Sequence, residues 1–132
     1  MNGNTSLLLV VLGAVVLALF AWPRIARAQQ DPDAQVLAQL RKAGSDLSKP
    51  HTIQFHLRVP SQKEANAAAT ELQAGEYDTA VRQGRDGHNW LCVAQKSMTP
   101  TIENLSGARR MFMDLAARYH GEYDGWDAAV EP

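Results

Sequence analysis

Asn-Trp-Leu-Cys-Val-Ala-Gln-Lys-Ser, residues 89–97, is the stretch that decides the fold of this chain. Turn-forming residues flank it on both sides, Arg85-Asp86-Gly87 and Thr99-Pro100, so it predicts a strand entered through a tight hairpin turn. Apolar side chains alternate onto both faces: Trp90, Cys92 and Ala94 on one, Leu91 and Val93 on the other. A strand that is apolar on both faces belongs in the middle of a sheet, with other elements packed on at least one face.

Three further strands are predicted around this central one. They cover residues 52–59, 76–83 and 122–131, and the last is broken by Asp124-Gly125. In the first, apolar and polar residues alternate, which is the pattern of a half-buried strand with one face on the core. The residues expected on the core face are Ile53, Phe55, Leu57 and Val59.

Two helices are predicted from their capping residues. The first has Asp31 as its N-cap and Pro32 at its first position, where the missing N–H costs nothing, and it ends at Gly44. The second begins at the capping box formed by Ser61 and Glu64, in which each side chain is expected to bond the backbone at the other residue. It ends at Gly75, and its alanine-rich face permits close approach to a sheet.

A third helix has the strongest periodic pattern of the chain. Thr99 is its expected N-cap, Pro100 its first residue and Gly121 its end. Met111 and Met113 border the apolar stripe and are expected to fill the core. The stripe recurs at three- and four-residue steps and comprises Ile102, Leu105, Ala108, Phe112, Leu115 and Tyr119.

The order of elements predicts an α+β fold. It indicates a ferredoxin-like βαββαβ sandwich with an extra N-terminal helix, preceded by a hydrophobic N-terminal segment. The first and third strands would be central and both long helices would cover one face of the sheet. The expected organisation is a hydrophobic anchor or signal segment at 1–28, a tether and short helix at 29–50, and the domain at 51–132.

The N-terminal segment from Leu7 to Trp22 is almost unbroken Leu, Val, Ala, Gly and Phe. As a helix it would be roughly 24 Å long, against roughly 30 Å of hydrocarbon in a bilayer. Positive charge lies only on its C-terminal flank, at Arg24 and Arg27. This bias favours a membrane anchor with the domain in the cytoplasm. The alternative is export with signal cleavage near Ala28, for which Ala26-Arg27-Ala28 supplies the small-x-small site.

Composition excludes several classes of function. The chain carries 13 basic and 14 acidic residues. Without Arg24 and Arg27 the balance is 11 basic against 14 acidic residues, a net charge near −3. A domain that binds nucleic acid typically carries an excess of positive charge, which this chain does not have. Cys92 is the single cysteine, so no internal disulfide forms. His51 and His56 are an odd number of residues apart in one strand and would face opposite ways, so they are not a metal pair, and no cofactor is expected.

No catalytic constellation is present in the sequence. Cys92 is the best candidate nucleophile, but in the middle of a strand it is expected to be a small buried apolar group. Asp124 and Asp127 could be imagined as an acid pair, yet such carboxylates near a chain end are usually solvated. No Gly-rich phosphate loop and no nucleophile-elbow pattern occurs. We therefore do not expect an enzyme.

Four segments together resemble a known family. They are Thr-Ile-Gln-Phe-His-Leu at 52–57, Gly-Glu-Tyr at 75–77, Trp-Leu-Cys-Val-Ala at 90–94 and, most specifically, Glu-Tyr-Asp-Gly-Trp at 122–126. They are similar to the regulator of ribonuclease E activity B (RraB-like) family, and the likeness covers roughly Asp31 to Val130. The resemblance implies a ferredoxin-like domain that is not an enzyme but binds ribonuclease E and restrains its cleavage of RNA. This chain departs from that family in its apolar N-terminus and in lacking a long acidic tail.

The candidate partner-binding residues are Tyr123, Asp124, Gly125 and Trp126. Two interpretations remain open for them. In one, Tyr123 and Trp126 close the end of the core while Asp124-Gly125 makes a bulge or turn. In the other, Trp126 anchors a protein interface, where Trp and Tyr are enriched.

Three functions follow from these observations. The first is a membrane-tethered regulator of an RNA-decay nuclease, whose tether would raise its local concentration near a membrane-associated target. The second is an exported or membrane-anchored small protein-binding domain unrelated to ribonuclease E. The third is an RNA-binding module that stacks bases on Trp90 and Phe55; it is disfavoured because basic residues are not clustered. The sequence does not indicate an oligomeric state.

Overall fold

The computed structural model describes residues 31–132, and the predicted membrane segment Leu7 to Trp22 lies outside them. Residues 36–132 form one compact unit. No helix within 31–132 is long and apolar enough to cross a membrane. The elements are α1 (Pro32–Lys42), β1 (His51–Val59), α2 (Gln62–Ala74), β2 (Asp78–Gln83), β3 (Trp90–Met98), α3 (Ile102–Arg118) and β4 (Glu122–Ala128).

The four strands form one antiparallel sheet in the order β2-β3-β1-β4. The α+β class and the central position of β1 and β3 are confirmed. Pairing of β1 with β3 runs unbroken from His51 opposite Met98 to Val59 opposite Trp90. Because directly opposed residues of an antiparallel pair point to the same face, this register fixes which side chains share each side of the sheet.

One face of the sheet carries the core. The four apolar residues predicted on this face of β1 are at most 1% exposed, and Cys92 and Ala94 of β3 are fully buried. The Phe55 ring stacks on Phe112 of α3 with centroids 4.8 Å apart. On the same face, Gln73 of α2 donates to the Thr79 hydroxyl at 2.7 Å. Both long helices therefore cover one side of the sheet, as predicted.

Two of the three predicted helix caps are confirmed. Asp31 accepts from the Asp33 N–H at 2.9 Å, and the Ser61 hydroxyl accepts from the Glu64 N–H at 3.2 Å. The Glu64 carboxylate does not return the capping-box bond; its Oε1 lies 3.7 Å from Nδ1 of His120. The prediction of Thr99 as a cap is wrong, because the Thr101 hydroxyl accepts from the Asn104 N–H at 3.0 Å and α3 begins at Ile102, two residues after the predicted start at Pro100.

The apolar stripe of α3 is shorter than its periodicity predicts. Ile102 is 46% exposed, although Leu105, Ala108, Phe112 and Leu115 are buried as expected. The periodicity of a helix identifies its apolar side but does not show how far the sheet extends beneath it. Ile102 lies in the first turn of α3. The expectation that two methionines fill the core is also wrong, since Met111 and Met113 are 40% and 57% exposed.

The end of α3 differs from the prediction as well. Tyr119 caps the helix and His120 adopts the left-handed conformation at φ 58°, so Gly121 is not the stop residue. Gly121 has another role: a Cβ built on it would lie 2.1 Å from the carbonyl oxygen of Arg58 in β1. Glycine is needed here for close backbone approach rather than for a positive φ.

The two histidines of β1 point to opposite faces, as predicted. His51 is fully buried, with Nδ1 2.8 Å from the Lys49 carbonyl oxygen and Nε2 3.1 Å from the Ser45 hydroxyl. The Ser45 hydroxyl also accepts from the Glu131 N–H at 2.9 Å. His51 therefore joins a buried polar link between the loop before β1 and the residues after β4. His56 lies on the other face and takes part in the candidate site.

Candidate protein-binding surface

A β-bulge in β4 positions the four candidate residues. Phe55 of β1 lies opposite Trp126, but Leu57 lies opposite Tyr123, so β4 contains one extra residue between these pairs. Gly125 adopts φ +93° at this point, a conformation that residues with a side chain rarely adopt. The predicted bulge is confirmed, and it brings Tyr123 and Trp126 onto the same face.

Both aromatic rings pack on the helix-facing side of the sheet. Trp126 is 7% exposed and belongs to the core cluster. Tyr123 stacks on Phe112 with ring centroids 5.5 Å apart and planes inclined by 23°. Their burial accords with the interpretation that these rings close the end of the core, and it leaves little of Trp126 for a partner to touch.

The opposite side of the sheet forms the candidate site, which we call the open face. None of its side chains is buried by the part of the chain that the structure describes. Register assigns to it Thr52, Gln54, His56 and Arg58 of β1; Leu91, Val93, Gln95 and Ser97 of β3; Asp78, Ala80 and Arg82 of β2; and Glu122, Asp124 and Asp127 of β4.

Charged residues line the β4 side of the open face. Arg58 lies 2.5 Å from Glu122 and 3.5 Å from Asp124, and His56 lies 2.7 Å from Asp127. The hydrogen bond that Arg58 donates to the Glu122 carboxylate raises the pKa of the Arg58 guanidinium, and the neighbouring Asp124 charge acts in the same direction. We call these five residues the acidic edge, because three carboxylates outnumber one guanidinium and one imidazole.

Sequence reasoning found part of this edge and missed its partners. It placed Asp124 among the candidate residues and compared it with Asp127, and both indeed face the same side. It did not pair Asp124 with Arg58 or Asp127 with His56, because Arg58 and His56 lie on β1, more than sixty residues earlier in the chain. The available signal was the alternation of β1, which sets His56 and Arg58 opposite its apolar residues.

The centre of the open face is weakly apolar. Leu91 and Val93 of β3 are half-buried there, and Ala80 beside them is exposed. The two rings considered for base stacking do not contribute, since Phe55 is fully buried and Trp90 lies opposite Val59 on the helix-facing side. None of the open-face positions of the four strands is Phe, Tyr or Trp, and the single ring among them is the imidazole of His56, which is bonded to Asp127. A platform on which two or three bases stack on successive rings is therefore not formed by these positions.

Comparison with known proteins gives the family. The profile of the family described as RraB, Regulator of ribonuclease activity B, matches residues 30–128, about three quarters of the chain. The chain belongs to the RraB family. The matched residues include all four strands and all three helices of the described structure.

A curated relative from the same family agrees with this assignment. The chain is 26% identical over 113 residues to "Regulator of ribonuclease activity B" of Salmonella typhi, covering 83% of this chain and 82% of that protein. RraB family members are regulators of ribonuclease activity and not catalysts. The protein is thus a regulatory protein, and the resemblance based on its four sequence segments is confirmed.

Burial determines the chemistry of the Cys92 thiol in this RraB domain. Cys92 is fully buried beneath the helices, and burial raises the pKa of its thiol to about 11. A thiol in that state is a poor nucleophile at neutral pH, because the thiolate is the reactive form. No group of three or more His, Cys, Asp or Glu residues within 31–132 has the arrangement to hold a metal ion.

The four candidate residues thus divide by face. Trp126 belongs to the core, the half-buried Tyr123 packs against it, and Gly125 shapes the bulge. Asp124 points to the open face, where it is 40% exposed beside Arg58. Within this set, Asp124 is the residue whose side chain a partner can reach directly.

Proposed function

We propose that this RraB protein binds ribonuclease E, or a related RNA-decay nuclease, and inhibits its cleavage of RNA. The match to a family of regulators of ribonuclease activity over residues 30–128 carries the proposal. Within residues 31–132 the single cysteine is buried, and no group of three or more His, Cys, Asp or Glu residues could hold a metal ion. Regulation then acts through contact with the nuclease.

The open face is the contact surface that we propose. An enzyme that binds RNA needs basic residues to neutralise phosphates, and the acidic edge complements such a surface. Asp124 and Asp127 supply negative charge at the rim, while Leu91 and Val93 supply apolar area at the centre. A polar rim around a less polar centre is the usual anatomy of a protein interface. By binding the basic residues of the nuclease, the acidic edge would compete with RNA for the same residues.

Paired variants test this surface with purified full-length protein, in detergent, and ribonuclease E. Asp124→Ala combined with Asp127→Ala is expected to weaken binding by about tenfold, since removing charges at an interface typically costs about 1–2 kcal/mol. Asp114→Ala is the matched control, because Asp114 on α3 forms a similarly exposed ion pair, 3.2 Å from Arg118. Affinity is measured by equilibrium binding and inhibition by the rate of RNA cleavage.

The outcomes separate interface from fold. Weakened binding and inhibition with an unchanged melting temperature support the open face as the contact. Loss of folding would instead assign Asp124 a structural role. A wild-type protein that neither binds the nuclease nor slows cleavage would refute ribonuclease E as the target. Binding that is unaffected in the double variant would refute the acidic edge as the contact.

We further propose that residues 1–28 anchor the protein in a membrane with the domain in the cytoplasm. The apolar segment Leu7 to Trp22 and the positive flank at Arg24 and Arg27 support this orientation. Intact mass and external protease treatment of cells test it. A full-length, protected protein agrees with the anchor. A protein that begins at Gln29 and is digested from outside supports export and would exclude a cytoplasmic nuclease as its partner.

We also infer a ferredoxin-like topology. The strand order β2-β3-β1-β4, the antiparallel pairing and the two long helices on one face support it. An experimental structure with β1 at an edge of the sheet would overturn this assignment.

A further inference from the structure

The two edges of the sheet differ in a way that matters for assembly. At one edge, β4 carries a bulge and Gly125 at φ +93°, features that disrupt strand addition. At the other edge, β2 pairs with β3 in six consecutive register positions without interruption. Within residues 31–132 no strand pairs with the outer side of β2. A regular edge of this kind is a template for pairing with another strand.

The hairpin fixes which backbone groups of β2 point outward. The Gly84 N–H donates to the Asn89 carbonyl at 2.7 Å, which makes these two residues a hydrogen-bonded pair of the β2–β3 ladder. Hydrogen-bonded and non-hydrogen-bonded pairs alternate along an antiparallel ladder. The N–H and C=O groups of Thr79, Val81 and Gln83 therefore point away from β3, toward the outside of the sheet.

The side chains of β2 are self-complementary about Ala80. Asp78 and Arg82 lie two residues before and two residues after it, both exposed on the open face. If a second β2 pairs antiparallel about a two-fold axis at Ala80, each Asp78 lies opposite the Arg82 of the other copy. The same register sets Thr79 opposite Val81, whose backbone groups both point outward, so four backbone hydrogen bonds can form.

Other registers do not meet both requirements. The outward-pointing residues have odd numbers, so only registers that pair odd with odd form backbone hydrogen bonds. A two-fold axis at Thr79 or at Val81 satisfies this parity but sets Asp78 opposite Ala80 or Gly84, and so loses the charge pairs. Charged residues on an edge usually deter pairing; here their opposite signs at mirrored positions favour one partner, a second copy of the same strand.

We propose that two copies of this protein pair through their β2 strands about a two-fold axis at Ala80 and form one continuous eight-stranded sheet. The open faces of both copies then lie on the same side of that sheet, and both β4 acidic edges remain free at its far ends. Pairing of β2 is independent of ribonuclease binding, so each can fail without the other.

Cysteine cross-linking of the full-length protein tests this pairing. Opposed Cα atoms of a non-hydrogen-bonded antiparallel pair lie about 4.5 Å apart, which is within the range that a disulfide spans. Ala80→Cys is therefore expected to give a disulfide-linked dimer under mild oxidation at micromolar concentration. Native Cys92 is fully buried and does not compete. Ser97→Cys, exposed on the same face but in the interior strand β3, is the control for random collision.

Charge reversal then tests the register in the Ala80→Cys background. Asp78→Arg alone, or Arg82→Asp alone, sets like charges opposite each other at both symmetric positions, and is expected to slow cross-linking by roughly fivefold. Combining the two reversals restores opposite charges and is expected to restore the rate. Because both side chains are exposed, a melting temperature close to wild type is expected for all three variants.

The proposal is overturned if Ala80→Cys cross-links no faster than Ser97→Cys. It is also overturned if both single reversals leave the rate unchanged, or if the double reversal fails to recover while remaining folded. Association through the N-terminal apolar segment alone would give equal rates at both cysteines. The measurement involves no nuclease, so it stands apart from the test of ribonuclease E binding.

Discussion

Tyr123 and Trp126 lie on the same side of β4 although they are three residues apart. In an unbroken strand this spacing would set them on opposite faces. The extra residue at Asp124-Gly125 restores the alternation, so both rings enter the core while Asp124 and Asp127 share the open face. A single bulge thus closes the core and builds the acidic edge on the two sides of one strand.

Gly125→Ala tests the dependence on this bulge. The residue adopts φ +93°, and a Cβ there would meet nothing within 4 Å, so the cost is conformational and is expected to be about 1–2 kcal/mol of unfolding free energy. Gly107→Ala in α3 is the control, because it has neither a positive φ nor a close neighbour, and it should stabilise by up to about 1 kcal/mol. Urea unfolding measures both. Equal effects of the two variants would contradict the strained bulge.

Gly121→Ala is expected to be more harmful, for a different reason. Its Cβ would lie 2.1 Å from the Arg58 carbonyl oxygen and 2.8 Å from Cγ1 of Val59, so the turn after α3 must separate from β1. We expect a loss of about 2–3 kcal/mol. Gly44→Ala provides the comparison, since it has φ +103° but no atom within 4 Å and should cost about 1 kcal/mol. A smaller loss at Gly121 than at Gly44 would show that the turn relaxes freely.

Phe112 is expected to be the most sensitive residue of α3. It is fully buried, and its ring lies 4.8 Å from that of Phe55, 5.6 Å from that of Tyr77 and 5.5 Å from that of Tyr123. Phe112→Ala should cost about 3–5 kcal/mol. The neighbouring Met113 is 57% exposed, and Met113→Ala should change stability by less than about 0.5 kcal/mol. Thermal unfolding of both variants distinguishes them; comparable losses would place Met113 in the core after all.

The sequence predicts the core sheet well because its signals there are local and regular. The alternation of β1 identifies its buried side, and the apolar run of β3 identifies a central strand, without knowledge of any partner. Face assignment in β4 depends instead on a bulge, where one inserted residue reverses every side chain beyond it. The turn signal at Asp124-Gly125 indicates an irregularity there, but not which rings it brings together.

Helix ends and exposed charges were less predictable. The left-handed positions after α2 and α3 are occupied by Glu76 and His120, whereas propensity favours a glycine at such sites. The ion pairs of Arg58 and His56 join strands far apart in sequence, so their partners depend on the register between β1 and β4. The sequence therefore identified only two residues of the acidic edge, Asp124 and Asp127.

The hairpin between β2 and β3 makes stability depend on pH through Asp86. Its carboxylate accepts from the backbone N–H groups of Asn89 and His88, at 3.0 and 2.9 Å, and from the Asn89 side chain at 2.7 Å. These bonds lower the pKa of Asp86 from 3.8 to about 2, and the bond from the Asn89 backbone N–H has the largest effect. A lowered folded-state pKa means that the charged carboxylate stabilises the fold above the unfolded-state pKa, and that this stabilisation is lost as the pH falls from about 4 to about 2.

Asp86→Asn removes the charge at every pH. We expect the variant to be less stable than wild type at pH 6, and the difference in unfolding free energy to shrink steadily as the pH falls from 4 to 2, because wild-type Asp86 is then protonated as well. Urea unfolding at intervals across this range measures the difference. Asn89→Ala is the control, because it keeps the Asp86 carboxylate and removes the side-chain donor. A carboxyl titration followed by NMR should show a higher Asp86 pKa in Asn89→Ala than in the wild type, closer to the ordinary value. A difference between wild type and Asp86→Asn that stays constant from pH 6 to pH 2 would show that the hairpin carboxylate is not coupled to folding.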